Sequence, residues 1–223
     1  MCKVSSRNVA YLKQLLDDSV PMNGIKFAFA YGSGVFKQLG QSDEQKSSNM
    51  LDFVFVIDDA LQWHKNNLIQ NRRHYSIFGR LGGARNVAHF QTAYNAHCYC
   101  NTLIRLPAPY APARFKYSVI SQRHLLSDLL DWPTLYIAGR LHKPVLTVVA
   151  PNNNDIGNTS FEASTSRSDH IHSPSLKTAL DMNLKNAVHA TCLLLPEKVK
   201  KEDYYLKLAS LSYTGDFRSV IGE

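Results

Sequence analysis

Residues 25–58 constrain this chain more than any other stretch. An apolar run, Ile25–Tyr31, leads straight into Gly32-Ser33-Gly34; after a polar excursion a second apolar run, Leu51–Ile57, carries one carboxylate, Asp52, near its start. Short apolar runs bounded by turn residues predict buried strands. A buried strand has few reasons to hold a carboxylate, because an unpaired buried charge is expensive; a metal ion or a cationic ligand is one good reason. The Gly-Ser-Gly turn offers closely approachable backbone N–H groups and a hydroxyl, which suits phosphate oxygens. Phosphates beside an acidic strand suggest a metal-dependent nucleotidyl transfer site.

The chain is long enough, at 223 residues, for one large domain or one domain and a piece of another. With 44% hydrophobic and 19% charged residues it can bury a core. A net charge of +7 and a pI near 9.2 favour a polyanionic partner: nucleotide, nucleic acid or an anionic membrane surface. The densest basic runs, Arg72-Arg73-His74 and Lys198–Lys201, are short and read more readily as solvated faces than as a nucleic-acid groove. Cys2, Cys98, Cys100 and Cys192 match no zinc spacing, Cys98 and Cys100 being expected on opposite faces of a strand; free thiols in a reducing compartment are expected. No apolar run reaches the roughly 20 residues that span a bilayer. The N-terminus has no secretory core and, with Asp17 and Asp18 arriving early, makes a poor transit peptide.

In chain order, an amphipathic helix is expected over 6–20, ended by Pro21, and a polar loop over 41–49. Asp59 can cap a helix over about 60–71. Asp52 and Asp58 share strand parity but lie roughly 20 Å apart at ~3.3 Å per residue, so they cannot ligate one metal ion. That leaves Asp52 for chemistry and Asp58 for strand termination or capping. Residues 72–83 read as a basic, glycine-ended linker. Arg73, His74 and Tyr75 there could meet phosphate or form an exposed turn. A helix over 84–93, a strand in the second half of 94–106 and a proline loop follow. The run Arg114–Ser121 alternates, with Phe115, Tyr117 and Val119 on one face and Lys116, Ser118 and Ile120 on the other. Lys116 is either an ordinary edge-strand lysine or a phosphate ligand.

A helix over 122–131, a helical turn in TLYIAGR and a short strand, Val145–Val149, come next. Residues 150–174 are rich in Asn, Ser, Asp and Pro and read as a flexible linker or insertion. Helices are expected over 175–195, with Leu176, Leu180, Leu184, Val188 and Cys192 as the apolar stripe, and over about 199–211. The division is residues 1–149, a linker over 150–174, and a helical segment over 175–223 that looks incomplete.

Seven segments carry a family resemblance: YGSGVFKQ (31–38), MLDFVFVIDD (50–59), HYS (74–76), KYSVIS (116–121), LYIAGRLHKPV (135–145), NLKNAV (183–188) and LSYTGDFR (211–218). In that order they resemble the mitochondrial CDP-diacylglycerol synthases, peripheral phosphatidate cytidylyltransferases. The resemblance implies an α+β fold, a polymerase-β-like nucleotidyltransferase core with a mixed sheet followed by a partial, winged-helix-type helical segment. It implies a Mg²⁺-dependent reaction of CTP with phosphatidic acid at the matrix face of the inner mitochondrial membrane, on the route to phosphatidylglycerol and cardiolipin. It further implies that Gly32, Ser33 and Gly34 hold the CTP triphosphate, that Asp52 ligates Mg²⁺, and that Lys116, Arg140, Lys143 and the Asp216/Arg218 pair bind phosphate or organise the site.

The chain departs from that family in three places. One carboxylate, Asp52, stands where two are usual. Asn95 and His97 stand where glycine is expected. The family runs on past residue 223, where the rest of the second domain and a membrane-contacting segment are expected. Two other readings stay open: a truncated nucleotide- or protein-binding module without turnover, and a nucleotidyltransferase acting on RNA. No nucleic-acid partner is expected, because the chain lacks aromatic-basic interleaving.

Overall fold

Among the described residues, strands dense in Phe, Val, Ile and Tyr pair into a five-stranded mixed sheet. The structure, a computed structural model, describes residues 9–36, 50–94, 97–106, 108–110, 114–152 and 174–213. β1 (Ile25–Tyr31) is antiparallel to both β2 (Leu51–Ile57) and β5 (Leu146–Val149). β2 runs parallel to β4 (Arg114–Ser121), and β3 (Cys98–Arg105) pairs antiparallel with β4. The expected α+β class and mixed sheet are present. The chain divides into two units, Met1–Gln122 with Val145–Ala150, and Arg123–Pro144 with Pro151–Glu223.

In the first unit the two sheet faces differ in chemistry. Phe53 and Phe55 of β2 and Phe115, Tyr117 and Val119 of β4 point to one face and are fully buried. α1 (Val9–Ser19) packs Leu12, Leu15 and Leu16 there, and α2 (Ala60–Gln70) lays Trp63 against the rings of Phe55 and Tyr117. Burying each such side chain stabilises the fold by roughly 1.5–3 kcal/mol. Asp52, Val54, Lys116 and Ser118 point to the other face by the parity of the same register. Asp59 caps α2 as expected, its Oδ1 accepting from Gln62 N at 3.0 Å, while Asp58 pairs with Lys26 at 3.0 Å.

Residues 72–83 are not a linker. A 3-10 turn, Arg72–His74, leads to α3 (Ile77–Ala93), whose N-cap Ser76 accepts from Gly79 N at 3.3 Å. The glycines that suggest a loop have other reasons: a Cβ on Gly79 would lie 2.9 Å from the Tyr99 hydroxyl, and Gly83, at φ +70, kinks the helix. Cys98 and Cys100, two apart on β3, share one face rather than two, paired with Ile120 and Ser118. His97 takes φ +54, a conformation that favours glycine, and its Nδ1 bonds to the Thr92 carbonyl at 2.8 Å. The glycine expected there is thus matched in backbone but not in residue; Asn95 lies outside the described residues.

The second unit holds α4 (Gln122–Asp131), a helical turn that closes with Gly139 N on the Leu135 carbonyl at 3.0 Å, α5 (Leu176–Leu193) and α6 (Lys201–Ser210). The buried line of α5 is Leu176, Ala179, Asn183, Ala187 and Thr191. Of the expected apolar stripe, Leu184 and Cys192 are exposed and Leu180 and Val188 half-buried. Small side chains let neighbouring backbone approach, and Asn183 is needed for its hydrogen bonds, so bulk alone mispredicts the inward face. Most of residues 150–174 lie outside the described residues. Among the described residues no helix is long and apolar enough to cross a membrane.

Candidate functional site

The β1–β2 register sets Tyr31 opposite Asp52, so the turn that follows Tyr31 closes beside that carboxylate. Gly32 has φ +80, and a Cβ there would lie 2.9 Å from Asp52 Oδ2. Its carbonyl accepts from Val35 N at 3.1 Å and Phe36 N at 3.0 Å, which folds the turn back on itself. A Cβ on Gly34 would collide with the Met50 carbonyl oxygen, so this glycine lets the turn lie flat on the start of β2. Ser33, between them, is half-buried.

The second half of the site comes from the parallel pairing of β2 with β4. That register sets Lys116 opposite Asp52, and Lys116 Nζ lies 3.1 Å from Asp52 Oδ1. The side chains are 35% and 16% exposed, so this pair stands at the wall of the sheet, partly shielded from water. β4 is an internal strand, which removes the edge-strand explanation of Lys116. The buried-strand carboxylate therefore has at least one cationic partner within the protein. Among the described residues no three His, Cys, Asp or Glu side chains gather into a metal-binding group.

Arg140 and Lys143 belong to the second unit. Arg140 Nη2 donates to the Pro144 carbonyl at 3.1 Å. Lys143 Nζ donates to Ser212 Oγ at 2.9 Å and lies 3.8 Å from the centre of the Tyr213 ring. A Cβ on Gly139 would collide with Ser212, so the Gly139–Lys143 turn and the 211–213 turn press together. Asp216 and Arg218 lie outside the described residues.

Two residues that sequence reasoning passed over organise this unit. Asp128, 4% exposed, accepts from Thr134 Oγ1 at 2.7 Å, Ile137 N at 3.0 Å and Ala138 N at 2.8 Å. Asn183 accepts at Oδ1 from Trp132 Nε1 at 2.8 Å and His142 Nε2 at 3.1 Å, and donates to the Ala138 carbonyl at 3.1 Å. The available signal was a polar residue on a buried helix line: Asp128 sits among Leu125, Leu126 and Leu129.

Under the β3 side of the first unit lies a buried polar chain. His64 Nε2 donates to Gln91 Oε1 at 2.7 Å, and its Nδ1 accepts from the Tyr75 hydroxyl at 2.8 Å. Asn67 Nδ2 donates to the hydroxyls of Tyr75 at 2.9 Å and Tyr117 at 2.7 Å, and His74 Nδ1 bonds to Tyr117 at 3.1 Å. Burial pushes both His64 and His74 down to about 4, so both are neutral at pH 7. His74 and Tyr75, read in sequence as possible phosphate contacts, are engaged in this chain, whereas Arg73 is exposed. A cavity of about 690 Å³ opens above it between α3 and β3, lined by Ser76, Phe90, Tyr99 and Asn101 among others. Gly32, Ser33, Asp52 and Lys116 do not line it.

Comparison with known proteins agrees with the motif-level resemblance. A family profile described as "Phosphatidate cytidylyltransferase, mitochondrial" matches residues 12–223. Relatives bearing that same name are 47% identical over 196 residues in Danio rerio, 46% over 199 in Xenopus laevis and 40% over 210 in Drosophila melanogaster. These alignments cover 88%, 89% and 91% of this chain but 51%, 52% and 55% of the relatives, so the chain spans about half their length. A strand–turn–strand with its carboxylate against the turn and a lysine across the parallel pair, together with a profile match over nearly the whole length, leads to one conclusion: the chain belongs to the mitochondrial phosphatidate cytidylyltransferase family.

Proposed function

We propose that the Gly32-Ser33-Gly34 turn, Asp52 and Lys116 form the CTP site of a phosphatidate cytidylyltransferase, and that the protein makes CDP-diacylglycerol and pyrophosphate from CTP and phosphatidate. The observation that carries the reading is the meeting of turn, carboxylate and ammonium at one point of the sheet. A phosphate oxygen of phosphatidate attacks the α-phosphorus of CTP in line; the bond from that phosphorus to the β-bridging oxygen breaks, and pyrophosphate leaves. A phosphate monoester is already largely ionised near neutral pH, so positioning and charge neutralisation matter more than a protein base.

In this site the turn amides and Ser33 hydroxyl hold the β- and γ-phosphates, Gly34 keeps the turn against β2, and Lys116 offsets charge on the leaving group. The donor set fits a magnesium ion that arrives with the nucleotide. It offers a single carboxylate, and Mg²⁺ accepts one or two carboxylates with water and substrate phosphates as its remaining ligands. Asp52 would hold that ion, which supplies charge neutralisation along the triphosphate. Arg140, Lys143 and the Asp216/Arg218 pair are read as phosphate-binding or site-organising residues, the cations being the ones suited to meet phosphate. The names of the relatives support a mitochondrial setting, and the acceptor lipid supports peripheral work at the matrix face of the inner membrane, toward phosphatidylglycerol and cardiolipin.

The test is turnover of radiolabelled CTP on phosphatidate vesicles by this chain and by Asp52→Ala, with folding checked by circular dichroism. Loss of product in the folded variant is expected; full activity there removes the assignment of Asp52. A second reading of the same turn, carboxylate and ammonium is a CTP-binding module without turnover. CTP binding without product in the unaltered chain selects it.

A further inference from the structure

The helical side of the first unit has a charge pattern that the nucleotide site does not use. From Ala60 through Ser127 the chain carries no Asp or Glu and nine Lys or Arg. Three of these cations, Lys65, Arg72 and Arg80, converge with Leu68 and Ile69 around a recess of about 420 Å³ between α2 and α3. None of the three has an ion-pair partner among the described residues. The same two helices hold large apolar side chains in water: Ile69, which lines the recess, is 75% exposed, Phe78 87%, Leu81 78% and Ile77 63%. Ile77, Phe78 and Leu81 occupy positions i, i+1 and i+4 of α3 and so share one side of the helix.

Exposed aliphatic and aromatic side chains interspersed with unpaired cations match the interfacial zone of a bilayer, where apolar groups enter the acyl boundary and cations meet lipid phosphates. A nucleic acid answers the charge but not the apolar group. Three of the four exposed side chains are aliphatic, and only Phe78 could stack on a base. We propose that this α2–α3 face docks on an anionic phospholipid bilayer, with Ile69, Ile77, Phe78 and Leu81 inserted and Lys65, Arg72 and Arg80 holding lipid phosphates in the recess. α2 covers the sheet face opposite to Asp52 and Lys116, so the docking face and the nucleotide site are separate surfaces of one unit.

The experiment is co-sedimentation of the 223-residue chain with vesicles of phosphatidylcholine alone and of phosphatidylcholine with phosphatidylglycerol, at low and high salt. Binding to the anionic vesicles is expected to exceed binding to neutral ones and to weaken with salt. Arg72→Glu/Arg80→Glu should lower it on the order of tenfold or more and remove the lipid preference. Phe78→Asp/Leu81→Asp should lower it at every salt concentration. A fluorophore on Leu81→Cys should shift to the blue with anionic vesicles, a readout that needs no charge reversal. The proposal is overturned if the unaltered chain binds neither vesicle or both equally, if both double variants bind like it, or if single-stranded RNA is bound and vesicles are not. CTP affinity, measured on the same variants, is expected to be unchanged. Its absence in the unaltered chain would end the nucleotide reading and leave this one standing.

Discussion

Lys116 and Asp52 stand opposite one another on adjacent parallel strands, and their charged ends meet at 3.1 Å. Parallel pairing fixes this contact through the backbone, since a slip of one residue in either strand would turn that strand's charged side chain toward the aromatic core and part the pair. The pair therefore presents opposite charges at a set spacing beside the Gly32 turn, at the place proposed for the nucleotide. Lys116→Met should weaken CTP binding by about 10- to 100-fold, and Asp52→Asn should abolish the dependence of CTP affinity on Mg²⁺. Where turnover is measured, losses of about 10²–10³ in kcat are expected, the usual scale for removing one preorganised electrostatic contact. Titration calorimetry with and without Mg²⁺ checks both variants; unchanged affinities would remove the pair from the site.

Gly32 couples the turn to the same carboxylate. Its φ of +80 is strained for any residue with a Cβ, and that atom would sit 2.9 Å from Asp52 Oδ2. Gly32→Ala should lower stability by about 1–2 kcal/mol from the backbone alone. It should also weaken CTP binding by displacing the carboxylate. Urea unfolding separates the two effects, because Gly34→Ala, which collides with the Met50 backbone instead, should cost more stability.

Much of this was legible in the sequence because it rests on local rules. β4 and α4 run where the alternation and periodicity of Arg114–Ser121 and 122–131 put them, and Asp59 caps α2 as its position before an apolar helix implies. The turn and Asp52 could be singled out because a glycine pair and a lone acid in an apolar strand each need a reason. What was not legible depends on pairing or on close approach. Nothing local says that β2 and β4 are neighbours, so the Lys116–Asp52 contact was open. Ser76 was hidden as a cap by the glycines after it, and the buried line of α5 runs through Asn183 and alanines because its neighbours come close. No periodicity count finds a residue that is buried for its hydrogen bonds.

Asn183 gives the sharpest stability prediction for the second unit. Asn183→Leu keeps similar bulk but leaves Trp132 Nε1, His142 Nε2 and the Ala138 carbonyl without their partner. Orphaned buried polar groups cost about 1–3 kcal/mol each, so a loss of about 3 kcal/mol or more is expected. Asp128→Asn should act in the same direction, because both carboxylate oxygens accept backbone N–H groups, Thr134 N at Oδ1 and Ile137 N and Ala138 N at Oδ2, so an amide NH₂ meets a donor whichever way it turns. Thermal melts should show both variants well below the unaltered chain; an unchanged midpoint in Asn183→Leu would mean that the network is not a determinant of folding.

The buried histidines set an acid limit on the first unit. His64, pushed down to about 4 by burial, is neutral in the folded protein through the range in which an unfolded histidine, near 6.5, takes up a proton. A depressed folded pKa means that the unfolded chain binds the proton first. The contribution is therefore complete above pH 6.5 and is lost as pH falls from 6.5 toward 4. For His64 the loss is on the order of 3 kcal/mol over that window. His74 acts in the same direction from a more exposed position, and His142 of the second unit is also lowered by burial. Unfolding free energies from urea titrations at pH 7, 6, 5 and 4 should fall steadily for the unaltered chain and less steeply for His64→Gln. Because carboxylates titrate alike in both proteins, the difference in slope isolates the histidine. Parallel slopes would show that His64 already carries its proton in the folded state, with Nδ1 donating to the Tyr75 hydroxyl instead of accepting from it.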